Sequence, residues 1–153
     1  MQIRKATVGD LDRLISLRLD FIAVHKGPLT PQEKTALTAQ LTPSFTKHVA
    51  AGDFIAALAE EDGRVASTAF LSISERPAST SFLSGKIGTI SNVLTYPEFK
   101  RRGLATQVMN LLLEEAAKQE VSAVDLLATT DGKHLYEKLG FRETDVLAMR
   151  LKL

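Results

Sequence analysis

The chain is predicted to fold as a mixed α/β (α+β) domain: a central mixed, mostly antiparallel sheet flanked by helices on both faces. Three observations carry this expectation. Segments with strand-type and helix-type apolar periodicity alternate along the chain. Their order is strand, two helices, three strands, helix, strand, helix and one or two closing strands, which a sheet covered on both faces accommodates. The chain has 153 residues and is 44% hydrophobic, the size of one compact domain with enough apolar side chains for a core. Residues 1–153 are therefore expected to form a single domain.

Each element has its own signal. "MQIRKA" reads as a first strand, and Asp10 opens a helix whose Leu11, Leu14, Ile15 and Leu17 fall on one side, running to about Val24. "HKGPLTP" breaks it, and a more polar helix is expected from Pro31 to about Ala50 as a surface cover, with an interruption at Pro43. "FIAALAEEDGRVASTAFLSIS" contains two apolar runs joined by an acidic turn ending in Gly63, the pattern of an antiparallel hairpin. "ERPASTSFLSGK" reads as a loop and "IGTISNVLTY" as a strand whose alternation fails around Asn92, a pattern compatible with a bulge. Leu104, Val108, Leu111, Leu112 and Ala116 form the core-facing stripe of a helix starting at Gly103. "AVDLLAT" follows as a short buried strand and "GKHLYEKL" as a short helix ended by Gly140. "VLAMRLKL" reads as a closing strand with Leu147, Met149, Leu151 and Leu153 on one face.

Composition excludes several functions. With 19 Lys and Arg against 18 Asp and Glu the net charge is +1, so no overall field favours nucleic acid or an anionic membrane. There is no run of about 18 apolar residues, and "MQIRKATVGD" lacks the apolar core of a signal peptide, so the expected compartment is cytoplasmic. The absence of cysteine removes disulfides, zinc–thiolate sites and a cysteine nucleophile. His25, His48 and His134 are scattered, so no metal site is expected.

The stretch "LTYPEFKRRGLATQVMNLLLEEAAKQ" places Lys100, Arg101 and Arg102 directly before Gly103. A helix start exposes unpaired N–H groups and the positive end of the macrodipole, which together attract an anion. Gly103 and Ala105 keep bulky side chains away from those nitrogens, and the arginines add mobile positive charge, so a diphosphate is the natural guest. The alternative is a basic turn followed by a glycine-relaxed helix start. Neither GxxxxGK[ST] nor a GxGxxG after a strand is present, which makes ATP and NAD poor candidates.

The succession of strand, "YPEFKRRGLAT", long helix, strand and "LYEKLGF" resembles the GNAT family, the Gcn5-related N-acetyltransferases. The likeness covers nearly the whole chain, beginning with "IRKATVGDLDRLISLR". In that family a loop of pattern Q/R-x-x-G-x-G/A binds the pyrophosphate of acetyl coenzyme A. Here its first position is Lys100, a departure that alters a side-chain contact while leaving the main-chain cradle. The resemblance implies an acyl-CoA N-acyltransferase fold with acetyl-CoA as co-substrate. It also implies that main-chain N–H groups from Arg101 through Arg102, Gly103, Leu104 and Ala105 to Thr106 hold the pyrophosphate. Val93, Leu94 and Thr95 would pair through their main chain with the pantetheine arm, as an open strand edge can.

Acyl transfer to an amine needs an uncharged nucleophile and a proton for the departing thiolate. Tyr136 matches the position of the family's general acid; the other reading is a ring packed on the sheet. A phenol of pKa about 10 protonating a thiolate of about 8.5 is uphill by roughly 2 kcal/mol, which a bound complex tolerates. Deprotonating an alkylammonium of pKa about 10.4 at pH 7 costs roughly 4.6 kcal/mol. Glu75, Asp20, His25 or a water relay are the candidate bases. Asp131 either contacts the coenzyme arm or caps its helix, in which His134 also lies. Without cysteine or a GxSxG elbow, direct attack in a ternary complex is favoured.

The leading expectation is thus an acetyl-CoA-dependent N-acetyltransferase acting on a primary amine. The acceptor would enter from the side shaped by the first two helices and the loop from Glu75 to Lys86, where no acidic cluster points to a polyamine or a cationic aminoglycoside. A non-catalytic acyl-CoA-binding regulatory module is the alternative. Nucleic-acid binding through "KRR" would require strong salt dependence, and the near-zero net charge opposes it. A homodimer through the terminal strand or a helix face is compatible with such a fold.

Overall fold

The computed structural model describes residues 1–153. Strand β1 (Gln2–Lys5) is followed by a 3-10 turn (Val8–Asp10) and two helices, α1 (Leu11–Lys26) and α2 (Pro31–Ala51). Strands β2 (Phe54–Glu61), β3 (Arg64–Glu75) and β4 (Lys86–Thr95) come next, then α3 (Leu104–Lys118), β5 (Ala123–Asp125) and α4 (Thr130–Lys138). The strands form one sheet in the order β1-β2-β3-β4-β5, antiparallel except for the parallel β4–β5 pair. This is the mixed, mostly antiparallel sheet expected from the sequence. No helix is long and apolar enough to cross a membrane.

Alternation along the strands builds a core on each face of the sheet. Ile55, Ala57 and Ala59 of β2 join Leu104, Val108, Leu112 and Ala116 of α3 on one face. Ala56 and Leu58 join Leu14 and Leu17 of α1 and Leu41 and Phe45 of α2 on the other. The first α-helix is held by its approach: Asp10 accepts from Thr7 N–H at 2.8 Å and from both terminal nitrogens of Arg4 at 2.8 and 2.9 Å. Asp10 thereby serves the 3-10 turn and Arg4, and its side chain does not cap α1. Thr30 caps α2 by accepting from Glu33 N–H at 3.1 Å. The expected interruption at Pro43 does not occur: α2 runs through it. Proline forfeits one N–H bond, but burial of Leu41 and Phe45 on either side keeps the adjacent turns on the sheet.

Two features shape the middle of β4. Thr68 pairs with Leu94 while Phe70 pairs with Ser91, so Asn92 and Val93 together face Ala69 as a β-bulge. Asn92 is left-handed at φ +55° and 1% exposed. Its side chain donates to the Leu17 carbonyl at 3.3 Å and accepts from Arg18 at 3.2 Å, tying the bulge to α1. The second feature is divergence: β5 pairs with β4 only from Ile87 to Thr89. A Cβ at Gly88 would lie 2.9 Å from Leu71 Cδ1 and 3.3 Å from Val124 Cγ2, so glycine permits the close packing where the strands still meet.

Two expectations fail at the C-terminal side. Of "AVDLLAT" only Ala123–Asp125 is strand, and none of the three residues is buried, because no β4 partner accompanies Leu126 onward. "VLAMRLKL" forms no strand; Leu147, Met149 and Leu151 are 90%, 93% and 84% exposed. The physical reason is the template: three residues of β5 offer too short an edge to pair an eight-residue strand.

Candidate active site

The start of α3 is built from main chain. Arg101 and Gly103 are both left-handed, at φ +63° and +72°, which turns the chain sharply between β4 and the helix. No side chain caps α3. Gln107 N–H is the first to bond back, to the Gly103 carbonyl at 3.2 Å, leaving the N–H groups of Leu104, Ala105 and Thr106 without an intrachain partner. A Cβ on Gly103 would meet nothing within 4 Å, so the space before these groups is open. The flanking charges are not equivalent. Arg102 donates to both Glu61 oxygens, at 2.7 and 3.1 Å, and lies 5.8 Å from the Phe99 ring centroid. That bond holds Glu61 below the usual carboxylate range and raises Arg102. Arg102 is therefore anchored, contrary to the expectation of mobile charge, while Lys100 and Arg101 are exposed and enter no ion pair.

Where β4 and β5 diverge, a cavity of about 430 Å³ opens. Its walls include Ser91, Asn92 and Val93 of β4, Leu126 and Leu127 after β5, His25 and Phe21 of α1, and Tyr136 of α4. Tyr136 is half-buried, and burial raises its phenol above the ordinary value of 10.0, keeping it protonated at neutral pH. Its ring meets Phe141 edge-on, with centroids 6.1 Å apart. The His25 ring packs on Phe21 with centroids 4.2 Å apart, and its Nδ1 lies 2.9 Å from the Phe21 carbonyl. A carbonyl only accepts, so Nδ1 carries the proton and the neutral imidazole has its lone pair on Nε2.

Of the residues singled out in the sequence as candidate site residues, Val93, Tyr136 and His25 share this cavity. Leu94 turns its side chain into the core, and its carbonyl accepts from Ser67 Oγ at 3.2 Å. Thr95 Oγ1 lies 2.8 Å from the same hydroxyl. Asp131 is exposed in the first turn of α4 and is not part of the cavity wall; Thr129 caps that helix, accepting from Gly132 N–H at 3.2 Å. His134 is also exposed. The three candidate bases separate clearly. Glu75 pairs with Lys86 at the opposite end of β4 from Thr95 and lies outside the cavity. Asp20 accepts from the Tyr96 hydroxyl, which burial and that carboxylate raise well above the tyrosine range. His25 alone of the three lines the cavity. Arg18, which carried no motif, also reaches the bulge through Asn92, and only contact across 74 residues reveals it.

An uncapped helix start following a bulged strand, with a cleft where the next parallel strand leaves the sheet, is the arrangement that the resemblance to the N-acetyltransferases implies. The acetyltransferase (GNAT) family matches residues 19–141, and the chain belongs to that family. It is 27% identical to a predicted acetyltransferase from Clostridium acetobutylicum solved with acetyl-CoA, with a TM-score of 0.84 over 97% of this chain and 95% of that one. A GCN5-related N-acetyltransferase from Ralstonia eutropha shares the fold at TM-score 0.81, with 22% identity over 98% of this chain and 97% of that one. An uncharacterized N-acetyltransferase of Porphyra purpurea, ycf52, is 36% identical over 58 residues. That match spans 38% of this chain and 33% of the relative's length.

Proposed function

We propose that the protein transfers the acetyl group of acetyl-CoA to a primary amine by direct attack in a ternary complex. The observation that carries this reading is the cavity between the diverging strands, which brings Tyr136 of α4 and His25 of α1 to one space beside the bulge of β4. In this reading the pyrophosphate rests on the main-chain N–H groups from Arg101 to Thr106, with Lys100 and Arg101 supplying free charge. The pantetheine arm runs along the main chain of Val93, Leu94 and Thr95, whose outer edge has no strand partner because β5 has departed. Asp131 is not needed in it.

His25 Nε2 accepts a proton from the acceptor ammonium, and the freed amine attacks the thioester carbonyl carbon. As the carbon–sulfur bond breaks, the Tyr136 hydroxyl protonates the sulfur, and the second proton leaving the attacking nitrogen as the amide forms restores the phenol, while His25 returns its proton to solvent. The buried position of Tyr136 suits it to this part, since a phenol raised by burial stays a donor through the neutral range. The test is release of free thiol from acetyl-CoA in the presence of a panel of primary amines. Release that requires both substrates is expected; coenzyme binding without release for any amine would favour a non-catalytic acyl-CoA-binding module. The exposed apolar side chains of Leu147, Met149, Leu151 and Leu153 further support a homodimer that covers this segment. Light scattering at micromolar concentration tests that assembly, and a monomer would remove it.

A further inference from the structure

A second cavity, of about 350 Å³, lies between α1, α2 and the sheet, and shares Ser91 with the cavity described above. Arg18, Ser44, His48, Asp53 and Ser72 supply the rest of its polar lining. Arg18 is the unusual member. It is partly buried at the wall, beside the Phe21 ring at 5.8 Å, and its one side-chain partner in the chain is the neutral Asn92 amide oxygen at 3.2 Å. None of the nine ion pairs includes it. The nearby carboxylates are engaged elsewhere: Asp20 accepts from Tyr96, and Asp53 lies 2.9 Å from His48 Nδ1. A desolvated guanidinium with five donors and no counter-charge is unfavourable in isolation. Consistent with this, burial lowers its pKa from the ordinary value.

We propose that Arg18 is a specificity residue that binds an anionic group, carboxylate or phosphate, on a small primary-amine acceptor. The proposal rests on the transfer reading above and names the acceptor class for it. Position supports it: Arg18 bonds to Asn92, which lines the first cavity, and Ser91 lines both, so an amine on a small molecule whose anion is held at Arg18 has a short path to the thioester. Size supports it as well, because the volume sits at the low end of the roughly 300–1,000 Å³ typical of small-molecule sites. A planar guanidinium also suits both anions through paired N–H donors.

The test uses matched pairs of amines with acetyl-CoA fixed: an α-amino acid against its decarboxylated amine, and an amino-sugar phosphate against the unphosphorylated amino sugar. In the wild-type protein kcat/KM should favour the anionic member of at least one pair by about tenfold or more, the scale of a charge-assisted bond. The pair that responds identifies carboxylate or phosphate. Arg18→Gln should bring that ratio toward one, and Arg18→Lys should retain part of it. No anionic preference in either pair, or a preference that persists in Arg18→Gln, overturns the proposal. A second readout needs no turnover: with acetyl-CoA present, succinate or inorganic phosphate should raise the melting temperature of wild type but not of Arg18→Gln. If neither anion raises it, the anion site is absent whether or not transfer occurs. If acetyl-CoA itself produces no rise, the transfer reading fails, and the anion response still decides the Arg18 site.

Discussion

The mouth of α3 and the cavity wall contributed by α1 present opposite kinds of surface. At α3 the surface proposed for the coenzyme is main chain: three N–H groups without partners, a left-handed glycine and open space before them. At α1 it is side chain: Arg18 on Asn92, His25 on Phe21, and the whole helix moored through Asp10 to Arg4. A main-chain site tolerates substitution at every position except those that set backbone geometry. A side-chain site depends on each group and on the contacts that aim it. The two regions should therefore respond very differently to mutation.

The largest effects are expected from the side chains of the cavity wall, His25 of α1 and Tyr136 of α4. Tyr136→Phe and His25→Gln should each lower kcat by about 10²-fold or more while acetyl-CoA still raises the melting temperature, the signature of lost proton transfer rather than lost binding. Because burial raises Tyr136, its donor should fail only as pH rises beyond its ordinary 10.0. The kcat profile should thus show no alkaline fall from this group below that pH. A fall well below it in wild type, absent in Tyr136→Phe, would contradict the assignment.

Next comes the bulge. Asn92→Ala removes both side-chain bonds and places alanine at φ +55°, and should cost about 2–4 kcal/mol in denaturant unfolding. Asn92→Gly should recover the backbone share of that loss but not the hydrogen-bond share. Equal losses in the two variants would show that the left-handed conformation contributes nothing.

The mooring of α1 gives a pH-dependent test. Hydrogen bonds from Arg4 hold the Asp10 carboxyl down to about 2 from the ordinary 3.8. A depressed folded-state pKa stabilises above the unfolded value and loses that contribution as pH falls through the folded one. Asp10 should therefore contribute about 2 kcal/mol near neutral pH, fading between about pH 4 and pH 2. The stability gap between wild type and Asp10→Asn should shrink over that window; a gap independent of pH would refute the linkage.

The smallest effects are expected from the side chains of the α3 mouth that do not set its backbone geometry. Arg102→Gln removes an exposed ion pair with Glu61 and a contact with the Phe99 ring, and should leave the midpoint of denaturant unfolding nearly unchanged. A large loss of coenzyme binding in this variant would mean that the cradle depends on side chains after all, and would erase the contrast between the two regions.

The same contrast explains what could be read in advance. Main-chain geometry leaves a compact imprint, so Gly103 after three basic residues, and the broken alternation at Asn92, were visible in short stretches of sequence. The hairpin and the α3 stripe were equally local. His25 was one of several bases, because its advantage depends on where α1 docks against the gap between β4 and β5. Arg18 left no imprint, since its partner lies 74 residues away. The cap of α4 falls to Thr129, two residues before Asp131, because its side chain already accepts from Gly132 N–H. Pro43 and the closing strand failed for tertiary reasons: packing of Leu41 and Phe45 carries a helix through proline, and alternation in "VLAMRLKL" does not make a strand without an edge to receive it.

The most direct test of the central claim, a coenzyme site at the mouth of α3, is the melting temperature with and without acetyl-CoA in wild type and Gly103→Glu. Saturation at about 100 times the dissociation constant adds roughly 2.7 kcal/mol, or about 5–10 °C for a domain of this size. That rise is expected in wild type and its loss in Gly103→Glu, where a carboxylate would occupy the anion's place. No rise in wild type, or an equal rise in the variant, would contradict it.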